Sequence, residues 1–104
     1  ILLISINILN VFIMNYSEVM ELLTDEILEL YKIKNSDYGN SFYKQLDEDG
    51  LLVSKIRLQD KLSRFSSIIK KGTIEVKDEK LRDTLIDLAT YSIMTVAWLD
   101  NKQK

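Results

Sequence analysis

The sequence predicts an all-α fold: a bundle of three main helices, with a turn-rich loop after the first, completed by oligomerisation. Three observations predict it. Proline is absent and glycine occurs three times in 104 residues, so few breakers interrupt the chain. Apolar residues recur every three or four positions in three separate segments, the period of an α-helix with one buried face. Hydrophobic residues make up 46% and charged residues 29%, the mix of a globular chain and not of a disordered one. The length is that of one ordinary domain.

Residues 1–13 form a charge-free apolar stretch broken by Ser5, Asn7 and Asn10. It is shorter than the ~20 apolar residues of a membrane span, and it lacks the basic start and small-residue cleavage site of a secretory signal. We read it as an N-terminal extension, either upstream of a natural start at Met14 or an arm that packs on the core or on a second subunit. Residues 14–104 are then a single helical domain.

In the first helix Ser17 is the expected cap, and Val19, Leu22, Leu23, Ile27, Leu30 and Tyr31 form the apolar stripe. Asn35-Ser36-Asp37-Tyr38-Gly39-Asn40 is dense in turn formers and should end it near Asn35. A polar, aromatic loop leads to a turn at Asp47-Glu48-Asp49-Gly50. Ser54 is placed to cap the second helix, whose stripe is Leu58, Leu62, Phe65 and Ile69, and Gly72 suits its stop. Thr73 to Val76 alternates as a short extended segment. Asp78 should cap a third helix running to about Leu99, with Leu81, Leu85, Leu88, Ser92, Val96 and Leu99 on one side. Ile86, Ala89, Ile93 and Ala97 widen that surface, so this helix should be the most buried. A domain this small gains a thin margin from one core, which points to a homo-oligomer, a dimer or larger.

The composition also limits the chemistry. There is no Cys or His, which excludes disulfides, thiol nucleophiles, catalytic triads built on His and zinc sites of the usual ligands. A net charge of −2 speaks against bulk nucleic-acid binding. Three constellations remain. Glu79, Asp83 and Asp87 stand four apart on the third helix, each step turning about 40°. Their mutual repulsion of a few tenths of a kcal/mol would be relieved by a hard divalent cation, or by solvent and the neighbouring Lys80 and Arg82. Arg57, Lys61 and Arg64 form a cationic face opposite the second helix's apolar stripe, able to hold phosphate oxygens, with Asp60 spaced to orient Arg64. The segment Lys34 to Gly39 offers Tyr38 for base stacking and Gly39 for close backbone approach. Taken alone, each reads more readily as ordinary surface or as a helix-ending turn.

Taken in order, Lys34-Asn35-Ser36-Asp37-Tyr38-Gly39, Arg57-Leu58-Gln59-Asp60-Lys61-Leu62-Ser63-Arg64 and Asp83-Thr84-Leu85-Ile86-Asp87-Leu88-Ala89-Thr90-Tyr91 resemble the nucleotide modification associated domain 1 family. That family occurs in phages and bacteria and looks related to MazG-like, all-α NTP pyrophosphatases. The resemblance runs from about Ser17 to Leu99. It implies nucleotide-binding roles for Lys34, Asp37, Tyr38, Gly39, Arg57, Lys61, Arg64 and Tyr91. It implies catalytic and metal-binding roles for Glu79, Asp83 and Asp87, with Glu26 and Glu29 as further metal ligands in Asp25-Glu26-Ile27-Leu28-Glu29, and Mg²⁺ or Mn²⁺ as the ion. The later acidic element departs from the MazG pattern, being spaced by four and not three, which favours binding over hydrolysis.

The expected protein therefore recognises a nucleotide, with metal-dependent hydrolysis of NTP to NMP and pyrophosphate as its enzymatic form. The alternatives are a non-catalytic binder or sequesterer of a nucleotide, including a cyclic or host-defence one, and a helical interaction scaffold. The expected location is the cytoplasm, that of the host if the chain is phage-encoded, with no membrane partner.

Overall fold

A computed structural model of the chain describes residues 14–38, 40–71 and 79–103. The described residues contain four helices and no strand: α1 (Tyr16–Tyr38), α2 (Ser41–Asp49), α3 (Leu51–Lys70) and α4 (Glu79–Lys102). The fold is all-α, as the helical periodicities require. The expectations for residues 1–13, Gly39, Gly72, Thr73 to Val76 and Asp78 lie outside the described residues. The chain divides into two compact units, Ile1–Tyr38 and Gly39–Lys104.

In the first unit, the cap of α1 lies two residues earlier than expected. Asn15, not Ser17, caps it: its Oδ1 accepts from the Glu18 amide at 2.9 Å, and its carbonyl accepts from Val19 at 3.1 Å. The helix also runs past Asn35 to Tyr38. Asn, Ser and Asp each lower helix propensity by only a few tenths of a kcal/mol, and no Gly or Pro intervenes before Gly39. Val19, Leu22, Leu23, Ile27 and Tyr31 are half-buried, as their stripe predicts, whereas Leu30 of the same stripe is exposed. The most shielded residue of α1 is Glu26, 6% exposed, in the middle of that stripe.

The second unit holds a helix where a loop was expected. Phe42 and Leu46, four residues apart on α2, are its buried hydrophobic residues, and Leu46 is fully enclosed. Asn40 precedes α2 in the left-handed region at φ 63°, a conformation Asn tolerates. Gly50 then ends α2, its amide donating to the Leu46 carbonyl at 2.8 Å, and turns the chain at φ 73°, ψ −162°. That reversal lets α3 begin at Leu51, so Ser54 lies one turn inside the helix and is not its cap.

Ser54 is instead a packing residue. It is 3% exposed, and its Oγ lies 2.7 Å from Thr95 Oγ1 of α4. Seven residues on, Lys61 meets Asp87, eight residues earlier in α4, so α3 and α4 run antiparallel. Leu58 and Phe65 are half-buried, but Leu62 and Ile69 are exposed, so the expected stripe is turned partly away from α4.

α4 extends to Lys102 and is similarly rotated. Its most buried residue is Thr84, whereas Leu85, Ile93 and Val96 are exposed. Thr84, Thr90, Ser92 and Thr95 each donate to the carbonyl four residues back, at 2.7–2.8 Å. A hydroxyl satisfied within its own helix packs as a small apolar group, so Thr84 and Thr95 can face inward. α4 is the least exposed of the three long helices, as expected, but its most deeply buried residue is Thr84, while Leu85, Ile93 and Val96 of its apolar surface stay exposed.

Candidate functional site

α3 carries the cations. Arg57, Lys61 and Arg64 lie within about 60° of one another around its axis. Arg57 donates from Nη2 to Gln45 Oε1 of α2 at 3.3 Å, a long contact to a neutral amide. Lys61 is not on an open face opposite the core. It lies at the α3–α4 seam, its Nζ 3.0 Å from Asp87 Oδ2, with the two side chains 18% and 29% exposed. Arg64 is exposed. Asp60 is exposed too, and no ion pair joins it to Arg64.

The acidic residues do not gather. Glu79 and Asp83 are exposed on the first turns of α4, while Asp87 is engaged by Lys61. Glu79 and Asp87 are eight residues apart, about 12 Å along a helix axis, too far for one ion to bind all three carboxylates. Among the described residues no group of three carboxylates could hold a metal ion. The Mg²⁺ or Mn²⁺ that the resemblance implies therefore does not fit α4 alone. Glu26, buried, and Glu29, exposed, belong to the first unit.

Lys34, Asp37 and Tyr38 project exposed from the last turns of α1. Tyr91 is half-buried, with its ring edge-on to Phe42 at 5.0 Å, so it packs the junction of α2 and α4. No helix among the described residues is long and apolar enough to cross a membrane.

Two polar partnerships escaped sequence reasoning. Gln45 meets Arg57 because α2 is a helix that folds back along α3. Asp47 Oδ1 accepts from Trp98 Nε1 at 2.9 Å and pairs with Lys102 Nζ at 3.0 Å, while Lys102 also stands 5.4 Å from the Trp98 ring centre. The Trp98 hydrogen bond, followed by that of Lys102, holds the Asp47 carboxyl below the usual carboxylate range. The spacing of Trp98 and Lys102, one turn apart, was the only available signal.

Fold and charge pattern define an all-α protein that presents a row of cations from one helix. The family model of nucleotide modification associated domain 1 matches residues 34–99, more than half of the chain, and the chain belongs to that family. No curated protein and no solved structure matches it.

Proposed function

We propose that the chain is a nucleotide-binding protein whose α3 cations, Arg57, Lys61 and Arg64, take the phosphates. The observation that carries this reading is the placement of three cations on one side of a single helix, inside the segment that matches a nucleotide-associated family. Guanidinium groups bind phosphate oxygens in pairs, and each charge-assisted bond is about twice as strong as a neutral one. Arg57 gives up only a long amide contact to do so. Binding without turnover suits the geometry better than hydrolysis of NTP to NMP and pyrophosphate, because the carboxylates of α4 are spread along the helix.

The test is calorimetry with a panel of nucleotides, with and without Mg²⁺ or Mn²⁺, followed by mass spectrometry of the recovered ligand. The expected result is an intact, retained nucleotide. Arg64→Ala should weaken it by about 1.5–3 kcal/mol, roughly ten- to more than a hundredfold. Release of NMP and pyrophosphate would make the chain a hydrolase instead. Absence of binding to every member of the panel would overturn the reading.

A further inference from the structure

We propose that this face selects ligands by the length of their phosphate chain, with Asp87 as a built-in competitor for the central cation. The inference rests on the phosphate-binding reading above and adds to it a selectivity and the residue that sets it. Arg57, Lys61 and Arg64 follow one another at axial steps of about 6 and 4.5 Å. One phosphate group cannot reach across that row, whereas a linear di- or triphosphate carries anionic oxygens along a comparable length.

Lys61, in the middle, already has an anion. Its 3.0 Å pair with Asp87 is partly shielded from water, where Coulomb attraction is stronger than at an open surface. An orthophosphate that displaces Asp87 exchanges one anion for another and gains little. A polyphosphate that does so also engages Arg57 and Arg64 on either side. The Lys61–Asp87 pair thus discriminates against short anions, and the flanking arginines reward long ones. Asp87 acts here by holding Lys61, not by ligating metal.

The experiment is calorimetry on the full chain in metal-free, chelator-containing buffer. Orthophosphate, pyrophosphate, tripolyphosphate, AMP, ADP and ATP are the ligands. Tripolyphosphate should bind at least about tenfold more tightly than orthophosphate, and Asp87→Asn should tighten tripolyphosphate by roughly three- to tenfold. Arg64→Gln should weaken tripolyphosphate about tenfold or more, while Lys55→Gln, on another side of α3, should change it less than about twofold. Equal losses from the Arg64 and Lys55 variants would reveal a mere attraction of polyanions and overturn the proposal. So would equal affinities for orthophosphate and tripolyphosphate, or an Asp87→Asn variant with parental affinity. If Asp87→Asn loses its helical circular dichroism, the Arg64 and Lys55 comparison still decides. AMP binding as tightly as ATP would overturn the selectivity and leave nucleotide binding standing. Tripolyphosphate matching ATP, with AMP silent, would support the selectivity and remove the case for nucleoside recognition.

Discussion

Asp47 on α2 accepts a hydrogen bond from Trp98 Nε1 on α4 at 2.9 Å, and the same carboxylate oxygen pairs with Lys102 Nζ at 3.0 Å. The short helix is thereby clasped to the last turns of the long one, and Trp98 is the sole tryptophan of the chain. The Asp47 carboxyl titrates below its ordinary range because these partners favour its charged form. A depressed pKa contributes stability above the unfolded value, about 3.9, and loses it as pH falls through the folded value. Trp98 fluorescence should therefore stay constant from neutral pH down to about 4 and change below it. Asp47→Asn, which keeps an acceptor but cannot titrate, should abolish that acid step. A step unchanged in the variant would assign it to another group.

The hydroxyl pair at the α3–α4 seam makes a directional prediction. Thr95 donates to the Tyr91 carbonyl, so Ser54 donates to Thr95 Oγ1. Thr95→Val strands a buried donor and should cost about 1–3 kcal/mol, whereas Ser54→Ala should cost about 1 kcal/mol or less. The double variant should be less destabilised than the sum of the singles, because neither hydroxyl is left orphaned. Urea denaturation of the four proteins measures this; strict additivity would contradict the pairing, and a Ser54→Ala loss equal to or larger than that of Thr95→Val would contradict the assigned direction.

Gly50 occupies a backbone region, φ 73° and ψ −162°, that only glycine enters readily. A Cβ there would meet nothing within 4 Å, so the cost of Gly50→Ala is conformational and not steric contact with neighbours. The expected loss is about 1–3 kcal/mol, read from the urea midpoint. An unchanged midpoint would mean that the α2–α3 reversal tolerates another conformation.

Self-association is a prediction motivated by the apolar side chains that α3 and α4 leave exposed: Leu62, Ile69, Leu85, Ile93 and Val96. Between Thr84 and Leu99 the only charged residue is Asp87, which Lys61 takes up, so this stretch of α4 adds no unpaired charge that would repel a second copy. Light scattering at micromolar concentration should give a dimer or larger, and Val96→Asp should shift the mass toward the monomer. A monomeric parent protein would refute the expectation.

The helical class and the three long helices were legible because their signal is local. Periodic apolar residues and missing breakers act within one segment. α2 was not legible: nine residues with two buried apolar side chains carry too little periodicity, although Phe42 and Leu46 at i and i+4 were the trace of it. The site was legible in its parts. Arg57, Lys61 and Arg64 share a helix face in any register, but the sequence pattern put them opposite the core, whereas Lys61 borders α4.

The sequence by itself determined an all-α chain with its cations on one helix and its carboxylates spread along another, because helix formation and residue spacing depend on neighbours a turn away. Tertiary structure decided which faces turn inward. Ser54 and Thr84 are buried and Thr95 half-buried while Leu62 and Leu85 stay exposed, since hydroxyls bonded within the helix or across the seam pack without an unpaired polar atom. That rotation brings Lys61 to Asp87 and makes the pair part of one surface, a meeting of residues 26 positions apart that no local pattern encodes.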